Sequence, residues 1–137
     1  NMGRNNSIKS IVYASDFEED DVLAIQRLVK IAEPLNAEIK IVHVATDNAH
    51  DQESHLVHFI EKVKQKVGYQ NIQYKIVSYP NVYDGLRNYI NFNNVDILVL
   101  LEREQHGFFN TVFHRDLNKK MESHVQIPVL SINQVYL

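Results

Sequence analysis

The 137-residue chain contains no cysteine and only four glycines. The first absence excludes disulfides, thiolate catalysis and Cys-ligated zinc. The second bears on phosphate binding, because glycine lets backbone N–H groups approach an oxyanion closely. Positive charge is also scarce: the net charge is -3, the pI is about 6.2, and Lys and Arg are scattered rather than clustered. Neither nucleic acid nor an anionic membrane surface is therefore an expected partner. No apolar run is long enough to span a bilayer and no signal-peptide pattern is present, so the expected compartment is the cytoplasm.

What is present is enough apolar material for one core. A chain of this length with 45% hydrophobic residues fits a single domain. Asn1 before Met2 looks like a residue left by an expression tag, so residues 1–6 are set aside as a tag or disordered leader and 7–137 read as the domain.

Short β-rich runs alternate with helical patterns. The runs begin with SIVYA (Ser10 to Ala14) and AEIKIVHV (Ala37 to Val44), continue with Ile72 to Ser78 and the nearly continuous apolar Ile97 to Leu101, and close with Val129 to Ile132. Between them, Val22, Ile25, Leu28, Val29, Ala32 and Leu35 recur at helical spacing, as do Leu56, Phe59, Ile60, Val63 and Val67. Val82, Leu86, Tyr89 and Ile90 mark a third stripe, entered through Asn81 as a cap, and Phe113, Leu117, Met121 and His124 a fourth. Asp16 followed by Glu19 resembles a capping box, the acids Glu18 to Asp21 suit a helix N-terminus, and Gly68 stands where a C-terminal glycine belongs. Gly85 is read as a point of close helix packing.

This order predicts an α/β, Rossmann-like, doubly wound five-stranded parallel sheet with helices on both faces. Its crevice lies beyond the carboxyl ends of the first and fourth strands. The loops Ala14 to Phe17 and Leu101 to Asn110 face each other there.

IVYASDF (Ile11 to Phe17), IAEPLNAEIKIVHV (Ile31 to Val44), VDILVL and IPVLSI, in this order and spacing, resemble the universal stress protein (UspA-like) family over nearly the whole chain from Lys9. The resemblance implies strand order 3-2-1-4-5, a homodimer or paired sister domain joined through the last strand Val129 to Ile132, and in many members a bound ATP. Asp16, with Ala14 and Ser15 alongside, corresponds to the adenine-contacting region, and Val44 to the backbone that touches the base.

The family's Gly-x-x-Gly-x9-Gly-Ser/Thr phosphate motif is not kept. Aligned from the strand end its glycines fall on Leu101, Glu104 and His114; aligned from the last helix, on Glu102, Gln105 and Arg115. This glycine-poor pattern resembles the second half of tandem two-domain members. Side chains at these positions obstruct a backbone cradle, and a carboxylate roughly 8 Å from a phosphate charge costs about 0.5 to 2 kcal/mol. Arg103 or Arg115 could offset part of this repulsion.

The leading expectation is a non-enzymatic stress-response domain with a degenerate phosphate loop and no cofactor, acting through association. The alternative is a nucleotide-binding module that keeps adenine recognition (AMP or ATP) through Asp16 and Val44. Asp16 has a plainer role too, as a helix N-cap. His50, His55 and His58 lack a carboxylate at ligand spacing, so no metal is expected. Ser15 has no histidine nearby in sequence and sits in no nucleophile-elbow motif, which leaves no catalytic residue to name. His43 reads as a packed strand-end residue. Phe108 and Phe109 are read either as a cover for the crevice or partner contact, or as packing under the last helix.

Overall fold

The computed structural model describes residues 7–46, 52–103 and 115–137. In chain order the elements are β1 (Ser10–Ala14), α1 (Glu19–Leu35), β2 (Glu38–Ala45), α2 (Gln52–Lys66), β3 (Ile72–Ser78), α3 (Val82–Phe92), β4 (Ile97–Glu102), α4 (Arg115–His124) and β5 (Val129–Asn133), closed by a 3-10 turn, Gln134–Tyr136. The strands form one sheet in the order β3-β2-β1-β4-β5, and every neighbouring pair is parallel. The expected order 3-2-1-4-5 is the one found.

Parallel strands need covering on both faces, and the alternation of side chains along each strand divides the core accordingly. Ile11, Tyr13, Ile39, Ile41, Val99 and Leu101 face α1 and α2, where they meet Ile25, Leu28, Phe59 and Val63. Val12, Ala14, Val42, Val44, Leu98 and Leu100 face the opposite layer, against Leu86, Tyr89, Ile90 and Met121. Each fully buried Leu or Ile contributes about 1.5 to 3 kcal/mol. The central strands β1 and β4 gain this on both faces, while β3 and β5 are the edges.

Local signals set the helix ends. The Asn81 side chain accepts the Asp84 N–H at 2.8 Å and starts α3. Asn36, at φ 53, closes α1 by directing its N–H to the carbonyls of Ala32 and Glu33. Gly85 permits the expected close approach, because a Cβ there would stand 2.7 Å from a Val44 methyl.

Three expectations need correcting. The N-cap of α1 is Glu18, not Asp16, and the acid that reaches back to it is Asp21 rather than Glu19. Gly68 follows α2 by two residues without a positive φ, so it provides no left-handed cap. His124 is exposed at the end of α4, since the inward stripe there runs through Leu117, Asn118 and Met121. The expected leader (1–6), Phe108, Phe109, Phe113, His50 and the loop from Glu104 to Asn110 lie outside the described residues.

Candidate functional site

The switch point, where β1 and β4 run side by side, is where strand order reverses and a crevice is expected. Beyond β1 the chain turns through Ser15, Asp16 and Phe17 before entering α1 at Glu18. Phe17 sits at φ 61, a conformation that costs a side-chain-bearing residue on the order of 1 to 3 kcal/mol. Two contacts hold it. Its N–H donates to Ser15 Oγ at 3.0 Å, and its ring stacks on His43 with centroids 4.4 Å apart and tilts against Phe59 at 5.3 Å.

Asp21 lies at the centre of this turn. It shares a helix stripe with Ile25, Leu28 and Ala32, so its carboxylate points into the protein and is fully buried. Oδ2 accepts the N–H groups of Asp16 at 3.1 Å and Glu18 at 2.9 Å. Oδ1 accepts the Tyr13 hydroxyl at 2.6 Å and stands 3.2 Å from Arg103 Nη2. Burial first, and then the Asp21 charge, push the Tyr13 phenol well above its ordinary range, so it remains a donor.

Arg103 continues the inward face of β4, two residues beyond Leu101, and is 4% exposed. Its Nη1 is 3.8 Å from Asp16 Oδ2. Although ion-paired, Nε, Nη1 and Nη2 have no hydrogen-bond partner of acceptable geometry among the described residues. Burial alone would lower its pKa, but Asp21 and Asp16 outweigh that and raise it. The guanidinium therefore stays charged.

Asp16 behaves differently. Burial, then the neighbouring Asp21 charge, raise its pKa to about 7, with Arg103 opposing and Glu18 adding to the rise. An aspartate beside a guanidinium ordinarily ionises more easily. Here the guanidinium lies nearer Asp21, and one buried and one largely buried carboxylate against one cation leave an excess negative charge that a proton on Asp16 removes.

The four residues expected to form an adenine site divide between the two layers. Ala14 and Val44 are buried among the α3 and α4 contacts, with Val44 wedged against Gly85. Ser15 and Asp16 belong to the turn, where the Ser15 carbonyl lies 2.7 Å from His43 Nδ1. His43 is the packed residue anticipated, and burial holds its pKa below the ordinary value. His55 and His58 are exposed, and among the described residues no group of three or more metal-ligating side chains gathers. Two surface cavities of about 510 and 380 Å³ lie on the β3 side, and neither is lined by residues 14–17.

Sequence reasoning missed Asp21 and Asn118 and understated Arg103. Each had a signal: Asp21 and Asn118 fall on inward helix stripes, and Arg103 keeps the period-two register of β4. Asn118 is fully buried in α4, and its amide nitrogen and oxygen both lack partners among the described residues. Buried polar groups left in this state call for an explanation, such as a bound molecule.

No protein-family model matches the chain. Neither does any curated protein. Solved structures do match. A universal stress protein in complex with cAMP shares 17% identity over 93% of this chain and 98% of the other, with a TM-score of 0.70. The universal stress protein UspA from Lactobacillus plantarum shares 16% identity over 93% and 99%, with a TM-score of 0.66. A universal stress protein from Archaeoglobus fulgidus in complex with dAMP shares 12% identity over 92% and 98%, with a TM-score of 0.65. At these identities the likeness establishes the fold, which is that of universal stress proteins.

Proposed function

We propose that this chain is a non-enzymatic stress-response module of universal-stress-protein type, with a degenerate phosphate loop, working in the cytoplasm through self-association or pairing with a sister domain. The observation that carries this reading is the Asp16–Asp21–Arg103 cluster, in which Asp21 and Arg103 are buried and Asp16 is partly so. The carboxylate that the resemblance assigns to adenine faces a guanidinium of its own chain, 3.8 Å away, at the point where a nucleotide would have to enter. The missing glycines after β4 agree with it.

Association is assigned to β5, an edge strand whose Leu130 is exposed, as are Val135 and Tyr136 in the turn that follows. Pairing across a two-fold axis would cover that edge and this apolar surface. Size-exclusion chromatography with light scattering should give a dimer, converted to monomer by Leu130→Glu; a strict monomer across micromolar concentrations counts against self-association. Calorimetry with ATP, ADP and AMP should give no saturable heat at millimolar ligand.

A second reading is favoured by the guanidinium of Arg103 and the amide of Asn118, both buried and without hydrogen-bond partners among the described residues. In it the domain retains nucleotide recognition, with Ala14, Ser15, Asp16 and Val44 around the base, in line with the cAMP and dAMP of two similar structures. Saturable AMP binding abolished by Asp16→Ala would promote it over the first reading.

A further inference from the structure

We propose that the turn 15–18, together with Tyr13 and Arg103, is a carboxylate-binding anion site, and that the Asp21 side chain is its resident, tethered anion. The site deepens the proposed function by giving a reason for the poor reception of phosphate: the cradle beside the switch point already holds an anion. It does not depend on how the domain associates.

The turn has the makings of an anion cradle. A left-handed residue, Phe17, lies between two N–H groups, those of Asp16 and Glu18, that converge on one point, and α1 begins immediately after. Convergent N–H groups in such a turn, ahead of a helix, form a concavity for oxyanions. A helix terminus alone would not establish a site. The independent observation is Arg103, a guanidinium 4% exposed, brought from a different strand and ion-paired at 3.2 Å with the same carboxylate, none of its nitrogens being in hydrogen-bond geometry among the described residues.

An ordinary capping-box acid lies at the surface and returns one hydrogen bond to the cap. Asp21 instead has no exposure and four partners, divided evenly between its oxygens: two backbone N–H groups on Oδ2, and the Tyr13 hydroxyl with Arg103 on Oδ1. This is how a protein receives a planar carboxylate ligand. A tetrahedral phosphate would bring additional oxygens for which the site presents no described donor other than Arg103.

Removing the tether tests the idea. Asp21→Gly takes away the carboxylate and its Cβ, leaving space for free formate. The variant should be strongly destabilised in chloride buffer and recover with formate in a saturable manner. At formate ten times its dissociation constant the melting temperature should rise by about 5 °C. Wild type in formate and Asp21→Gly in chloride at equal ionic strength should show no such rise. The Asp21→Gly/Arg103→Met double variant should lose the response. Phosphate should be a poorer substitute than formate.

Asp21→Asn gives a second reading if the glycine variant folds poorly. It keeps the shape, loses the charge, and turns one acceptor towards its donors as a donor. It should be less stable than Asp21→Asn/Arg103→Met, because the second change removes the uncompensated cation. The proposal is overturned if folded Asp21→Gly is indifferent to high formate, or if formate and chloride act alike. It is also overturned if Asp21→Asn matches wild type. Dimerisation and nucleotide calorimetry are unaffected by these outcomes, so failure here is distinguishable from failure of the functional reading.

Discussion

Replacing Asp16 by Asn should stabilise the protein at alkaline pH and leave it unchanged or weaker at acid pH. The folded-state pKa of Asp16 is about 7, against an ordinary 3.8. Between these values the folded chain holds a proton that the unfolded chain releases, so stability falls as pH rises. The contribution is fully present below about 3.8 and lost above about 7. A difference of roughly three units corresponds to about 4 kcal/mol as an upper limit, each unit being worth about 1.4 kcal/mol. Loss of the ionised side chain's attraction to Arg103 trims the gain, so Asp16→Asn is expected to exceed wild type by about 1 to 4 kcal/mol above pH 8. Urea denaturation of both proteins from pH 4 to 9 measures it. His43 acts in the opposite sense: its lowered pKa gives stability that is present above about 6.5 and lost as pH falls. The difference between the two proteins cancels that background. A difference independent of pH, or wild type gaining on the variant as pH rises, would refute the reasoning.

Three further outcomes test the surrounding structure. Arg103→Met leaves Asp21 buried without its cation and should cost about 3 to 5 kcal/mol in urea denaturation, with Arg103→Lys recovering part of it; a loss below about 1 kcal/mol would show that hydrogen bonds alone hold Asp21. Gly85→Ala drives a methyl into Val44 and should cost about 1 to 3 kcal/mol, with a double-mutant cycle against Val44→Ala revealing the coupling. Asn81→Ala removes the side-chain cap of α3 and should cost about 1 kcal/mol, read as a lowered denaturation midpoint at constant m-value.

The strands and helices were legible because each carries its own periodicity. The β4 run Ile97 to Leu101 is apolar throughout because it is covered on both faces, and the α1 stripe repeats because only one face meets the sheet. Cap assignments fared less well. Asp16 and Glu19 satisfy the capping-box pattern in sequence, but Glu18 and Asp21 form it in the structure, and local chemistry could not choose between frames two residues apart. Of the anticipated adenine residues, Ala14 packs on one face of the sheet while its neighbours Ser15 and Asp16 already belong to the turn, because the strand ends between them.

Periodicity and turn chemistry, written into the order of residues, determined the alternation of strands and helices and hence a parallel doubly wound sheet. Only the tertiary structure decided that Tyr13, Asp16, Asp21 and Arg103 meet at one buried point, because β4 joins β1 across more than eighty intervening residues and no local rule encodes that distance. Charge in a sequence reads as surface. Desolvation, which exists only once the chain has closed around these groups, turned three such residues and a tyrosine into an internal network and moved the titration of Asp16 towards neutrality.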